Sequence, residues 1–526
     1  MTYRPIARWI AALVLLLPGS LALAQDAGWE KNSAAGREAH ERGDYAEAER
    51  LLRLALDQVE VLGKNDWRTA QVLDELARLL SSQAKFGEAE SLAKRSLSIR
   101  EAAYGRNALA VVNSLDTLAN VYEAQCKNTE AEPLRRRDMA ITEASPEADA
   151  DDRATSLNNL GSLLLDLRKD QEAERLLRRA LDVWEQSVGP DHINVARSLN
   201  NIAIVFRRTG RPAEAEPYYR RSLAILEKSL GAKHPLVAQS LQNLGLLLTV
   251  LGRYDEAESA ATRSLAIREG LFETDNLDVA HSLSNLGDLR RCQGRYAEAA
   301  TLLKRALAIR EKKFGPENPT VASSLLSSAD LSNELERYTE SEPLAKRALA
   351  IRQKSLAKDH PDVAEAMITL ATSYRGQGKQ AEALRLLNEA MPIFEKAEGQ
   401  DDSGVADCLV EQAAIERDRG KLADGEAKIK RALVIRERRG KDHPEVARCH
   451  ESLAQLYQAQ RRHAEAEAEY RHALYIWAKA GLQDHPQVAK LLDHYAELLR
   501  RKGLSDEARE MESRAQSIRS KHPVDP

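Results

Sequence analysis

The chain has 526 residues, 30% of them charged and only 5% aromatic, with a net charge of −4. That balance excludes a chain-wide cationic field for nucleic acid and leaves no acidic tail. Length alone admits several domains, and few aromatics beside recurrent Ala and Leu suit helices packed through small and aliphatic side chains.

At the start of the chain, Arg4 and Arg8 precede the apolar run Trp9 to Leu17, and Ala22-Leu23-Ala24 places small residues just before Gln25. This is the three-part pattern of a secretory signal peptide. The run is short for a span of about 20 residues, and Pro18-Gly19-Ser20 interrupts it, so a retained membrane anchor is the weaker expectation. Residues 1–24 are expected to be removed between Ala24 and Gln25. The mature chain is then periplasmic or secreted, with no stable membrane insertion after cleavage.

Beyond that segment the chain repeats itself. In Val195 to Leu236, residues Leu199, Ile202, Ala203 and Phe206 fall on one helical face. Thr209-Gly210-Arg211-Pro212 breaks the pattern as a turn does. A second helix follows with Ala215, Tyr219, Ser222, Leu223, Leu226 and Leu230 in one stripe, closed by Gly231 and Pro235. Such a hairpin cannot bury both apolar faces alone, and copies of it recur. The turn residue ahead of each second helix is Tyr45, Phe86, Asn128, Asp170, Pro212, Tyr254, Tyr296, Tyr338, Gln380, Leu422, His463 and Leu504, at intervals of 41 or 42 residues. Three residues on stands a small residue, from Ala48 and Ala89 to Gly425 and Ala466, with Glu507 the exception. A small residue kept in register marks close helix–helix approach.

The residues Leu199, Ile202, Ala203, Phe206, Ala215, Tyr219 and Ser222 fall on the positions that define a tetratricopeptide repeat, TPR. The long form resembles the repeats of kinesin light chains and related bacterial proteins. Ile309-Arg310-Glu311-Lys312-Lys313-Phe314-Gly315-Pro316-Glu317-Asn318-Pro319 carries its ending, with Asn in place of His. The resemblance implies an all-α solenoid over residues 28–520, a right-handed superhelix of about twelve helix-turn-helix hairpins, followed by a disordered tail at 521–526. The polar first and last helices read as caps. Between repeats three and four the loop is replaced by the acidic run 144–152, either a variable surface loop or a hinge.

The resemblance also places first helices on the concave face. Asn159, Asn201, Asn243 and Asn285 share one position there, and match the asparagines that bind extended peptides in kinesin light chains. An amide can pair with both C=O and N–H of a peptide backbone. The alternative is that these amides bond between repeats and set the superhelix pitch. Arginines at groove-side positions match carboxylates, so an acidic extended segment of a partner protein is the expected ligand, unless these charges are merely solvated. The candidate groove is Asn158, Asn159, Arg197, Asn200, Asn201, Arg207, Arg208, Gln239, Gln242, Asn243, His281, Asn285 and Arg291.

Chemistry is not expected elsewhere. His192, His234, His360, His443 and His485 recur once per repeat in His-Pro loops, a ladder rather than a metal cluster. The four cysteines have no metal-binding spacing, and Cys408 and Cys449, one repeat apart, are too distant for an unstrained disulfide. No catalytic signature is present. The sequence therefore calls for a non-enzymatic, cofactor-free, monomeric scaffold that binds no nucleic acid. The other reading is an assembly component of an envelope or secretion complex, using its ends and convex face.

Overall fold

The computed structural model describes residues 17–522 apart from 43, 84, 126, 210, 399–402 and 439, with side chains from residue 28 except at 41 and 398. Residues 1–16 of the expected signal peptide, Cys126 and residues 523–526 therefore lie outside the described residues. The chain divides into two units, Met1–Gly189 and Pro190–Pro526. Unit 1 holds α1 (Leu17–Glu41), α2 (Tyr45–Leu62), α3 (Trp67–Ser82), α4 (Phe86–Tyr104), α5 (Val112–Ala124), α6 (Asn128–Ala144), α7 (Ala150–Asp166) and α8 (Asp170–Ser187). Unit 2 holds α9 (Ile193–Arg208), α10 (Pro212–Leu230), α11 (Pro235–Val250), α12 (Tyr254–Leu271), α13 (Leu277–Cys292), α14 (Tyr296–Phe314), α15 (Pro319–Glu334) and α16 (Tyr338–Ser355). It continues with α17 (Pro361–Gly376), α18 (Gln380–Glu398), α19 (Ser403–Asp418), α20 (Leu422–Glu437), α21 (Pro444–Ala459), α22 (His463–Lys479), α23 (Pro486–Arg501) and α24 (Ser505–Lys521). These are twelve hairpins of an all-α solenoid.

Eleven second helices begin on the residue expected from the spacing, and the twelfth begins one residue later, at Ser505. That shift removes the exception in the small-residue register, because Ala508, not Glu507, is the fully buried residue there. Ala48, Ala89, Ala131, Ala173, Ala215, Ala257, Ala299, Ser341, Ala383 and Ala466 are likewise fully buried. A larger side chain at these positions would push paired helices apart.

Two devices recur at the junctions between hairpins. The first caps the incoming first helix. His192, His234, His360, His443 and His485 each accept, through Nδ1, the backbone N–H two residues on, at 3.1–3.3 Å. Asn276 and Asn318 do the same through Oδ1 at 2.7 and 2.9 Å. The change from His to Asn thus preserves an N-cap acceptor, and in most of these loops Pro follows at the first helical position. The second device is the arginine of the Ile-Arg ending. Arg100, Arg268, Arg352 and Arg436 are buried, and each donates to a backbone carbonyl at the start of the next first helix, at 2.5–3.2 Å.

The acidic run at 144–152 is ordered. Asp149 caps α7 by accepting from the backbone N–H of Asp152, whose side chain accepts from Asp149 N–H in return, a capping box. The division into units falls one hairpin later, at Gly189–Pro190. At the chain ends, α1 runs unbroken through Ala24 and Gln25, and α24 extends to Lys521.

Candidate binding face

First helices of adjacent repeats touch one another, α1 with α3 and α3 with α5 in unit 1, and α9, α11, α13, α15, α17, α19, α21 and α23 in succession in unit 2. No comparable contacts join second helices among the described residues. The first helices therefore line the inner, concave side of each unit, as the resemblance implies.

Most of the asparagine register is turned to the neighbouring repeat. Asn159 donates to Asp116 at 3.3 Å and Asn243 to Asn200 at 2.9 Å. In later repeats Ser327 donates to Asp288 at 3.1 Å and Thr369 to Asp330 at 2.9 Å, while Glu411 pairs with Arg375 at 2.6 Å. At these three positions the change of residue type keeps the bond across the repeat boundary, whereas Thr117 and Ser452 in the same register bond within their own helices. Asn285 departs from this. Its amide N–H has no protein partner and borders a small cavity of about 10 Å3, the size of one water.

The other candidates fall into three groups. Asn158 is buried, 2% exposed, and so belongs to the packing between helices rather than to the surface. It lies with Asn159 in unit 1, while the other eleven candidates lie in unit 2. Asn200, Asn201, Gln242, Arg207, Arg208 and Arg291 are half-buried. Arg197, Gln239 and His281 are exposed; they share one position, four residues ahead of the asparagine, on α9, α11 and α13.

The electrostatics differ from the basic groove expected. Arg291 is engaged by Glu334 at 2.5 Å, with Asp288 at 3.8 Å. Burial works against the Glu334 carboxylate, but the Arg291 and Arg448 charges outweigh it and hold the group below its ordinary range. Burial raises Asp288, and pushes Asp330 up to about 7 despite Arg291 and the Thr369 hydroxyl. These acids on α13 and α15 were not among the candidates. Their signal in the sequence was their position after the register, three residues on for Asp288 and Asp330 and seven for Glu334, on the same helical face. Among the described residues no three His, Cys, Asp or Glu side chains gather as a metal site requires, and no helix is long and apolar enough to cross a membrane.

Tandem helical hairpins with a polar inner face define a class of protein, the helical-repeat scaffold. The tetratricopeptide repeat profile matches residues 36–102, 108–186, 152–228, 209–270, 236–312, 313–396, 405–474 and 450–521. The chain belongs to the tetratricopeptide repeat family. Among solved structures it is similar to BtubC (BKLC) from P. vanneervenii, at 24% identity and a TM-score of 0.35, over 44% of this chain and 91% of that one. A Podosopora anserina protein described as kinesin light chain nearly identical TPR-like repeats aligns at 25% identity and a TM-score of 0.32, over 39% and 98% of the two chains. The apo form of RapI aligns at 17% identity and a TM-score of 0.44, over 54% and 98%. No curated protein matches the chain. Members of the repeat family generally mediate protein–protein interaction, and the chain is a protein-interaction scaffold by its fold.

Proposed function

We propose that the chain is a non-enzymatic, exported scaffold whose inner face in repeats five to seven holds an extended, acidic segment of a partner protein. The observation that carries this reading is the trio Arg197, Gln239 and His281. These side chains are exposed and keep one register across three adjacent first helices. A strand-like segment crossing those helices would meet one polar side chain per repeat, with the cation at the α9 end.

The test is fluorescence anisotropy of a labelled polyglutamate peptide and a polylysine peptide of equal length, on the purified chain. The acidic peptide should bind, and the variant Arg197→Ala/Gln239→Ala/His281→Ala should weaken it by about tenfold or more, since truncated central contacts of this kind cost over ~1 kcal/mol. Equal binding of both peptides, or no loss in the triple variant, would sink the reading. These exposed positions test it more cleanly than the asparagines, whose removal breaks bonds between repeats. Export has its own test. The N-terminus of protein recovered outside the cytoplasm should be Gln25, and an intact Met1 would contradict cleavage.

One observation favours the second reading, assembly through the convex face. Val434 and Tyr475 are 57% and 58% exposed and occupy matching positions on α20 and α22. A self-associated species in light scattering, lost in Val434→Ser/Tyr475→Ser, would move the function there.

A further inference from the structure

In a repeat solenoid each hairpin normally contacts only its neighbours. Unit 2 breaks that rule between repeats six to eight and repeats eleven and twelve. The turn at Gly252, between α11 and α12, lies against His443 and Pro444 at the start of α21. One repeat on, the turn at Gly294 lies against His485 and Pro486 at the start of α23, so closely that a Cβ on Gly294 would overlap Pro486. The Tyr296 ring meets His485 edge-on at 6.2 Å, and His485 stacks on Trp477 at 4.9 Å. In the third turn, Glu336 pairs with Lys490 at 2.5 Å, across 154 residues of sequence.

Glu336 is itself out of place. It has φ +61°, in the position where Gly252, Gly294, Gly378 and Gly420 stand in neighbouring repeats at φ +72° to +77°. A glutamate in the left-handed region is strained, and here its carboxylate meets the opposing repeat.

We propose that this seam is a reversible clasp, in which repeats eleven and twelve lock onto the turns of repeats six to eight and close unit 2 upon itself. Its composition is that of a contact made to part. A cavity of about 230 Å3 runs along it, with Arg291 and Glu334 on one side and Glu445, Arg448, Trp477 and His485 on the other. The interface therefore sets charged side chains beside apolar ones around space for water rather than forming a fused core, as in interfaces that allow relative motion. Its ion pair is partly exposed, 37% and 59%, so salt screens it. The first helices of the intervening repeats line the inside of the closed turn, and the state of the clasp sets access to them.

The test uses the full chain, with small-angle scattering to read compaction and hydrogen exchange to read residues 291–297 and 484–490. Lys490→Glu should raise the radius of gyration and speed exchange in both segments together, and Lys490→Glu/Glu336→Lys should reverse both changes. Raising salt from 0.1 M to 1 M, which shortens the Debye length from about 10 to about 3 Å, should act on the parent as Lys490→Glu does. Gly294→Ala supplies the steric arm, with Gly420→Ala as its control. Both glycines have left-handed backbones, but a Cβ on Gly420 meets nothing within 4 Å. Gly294→Ala should open the seam and Gly420→Ala should not. An unchanged radius and unchanged exchange at 484–490 in Lys490→Glu and Gly294→Ala would overturn the clasp, as would equal opening by both alanine variants.

Discussion

At the scale of single residues, backbone conformation and burial decide two outcomes. Arg461 sits in the turn position occupied by glycine in several other repeats, with φ +63°. An L-residue there is strained by about 1–2 kcal/mol, part of which glycine returns by its greater freedom in the unfolded chain. Arg461→Gly should therefore stabilise the protein by about 0.5–1 kcal/mol, read as a higher urea midpoint. Asp138 on α6 is 3% exposed. Burial pushes its carboxyl up to about 7, with Arg135 pulling the other way and Asp116 and Asp152 adding to the rise. An unfolded Asp titrates near ~3.9. Between those values the folded chain holds one proton more than the unfolded chain, so this group makes stability fall as pH rises from about 4 to about 7. Asp138→Asn should flatten that fall, and a melting temperature with the same slope between pH 4 and 7 in both proteins would refute the assignment.

At the scale of helices and hairpins, much was legible because the code is local. The spacing of turn residues located eleven second helices to the residue, and the His-Pro loops were recognisable as structural because they recur without converging. What escaped was the partner of each side chain. Asn159 and Asn243 were identified as inner-face residues, yet periodicity says nothing about whether an amide faces a ligand or the next repeat. The structure shows bonds to Asp116 and Asn200. Asn243→Ala should accordingly destabilise by about 1 kcal/mol, the usual net worth of such a bond. The arginine of the Ile-Arg ending was visible as a motif but not as a staple. Arg352 is 6% exposed, donates to the carbonyl of Asp362 at 2.5 Å and pairs with Glu365 at 2.8 Å. Arg352→Ala should cost about 2–3 kcal/mol, as lost hydrogen bonds from a buried charged donor do. A loss no larger than that of an exposed arginine such as Arg385 would show that the junction does not depend on it.

At the scale of the molecule, the sequence pattern is blind for a physical reason. Every repeat carries the same local code, so nothing in it says which distant repeat a turn will meet, or where cooperativity stops. The acidic run at 144–152 drew attention by its composition, whereas the division at Gly189–Pro190 lies in a loop that looks ordinary. The division has a thermodynamic consequence. Stability in a solenoid is a sum of repeat terms and interface terms, so compact units can unfold as separate cooperative blocks. Calorimetry of the full chain should show two transitions, and each unit offers a probe for its own. Arg135 in unit 1 is 3% exposed and holds Asp116 at 2.5 Å and Glu123 at 2.8 Å, so Arg135→Ala should lower one transition only. Arg352→Ala should lower the other only. In unit 2 the clasp ties repeats six to eight to repeats eleven and twelve, which makes that block more cooperative than adjacent contacts alone would. Lys490→Glu should therefore broaden the unit 2 transition while leaving that of unit 1 in place. A single transition shifted alike by all three variants would mean that the units unfold together and that the division at Gly189–Pro190 has no energetic counterpart.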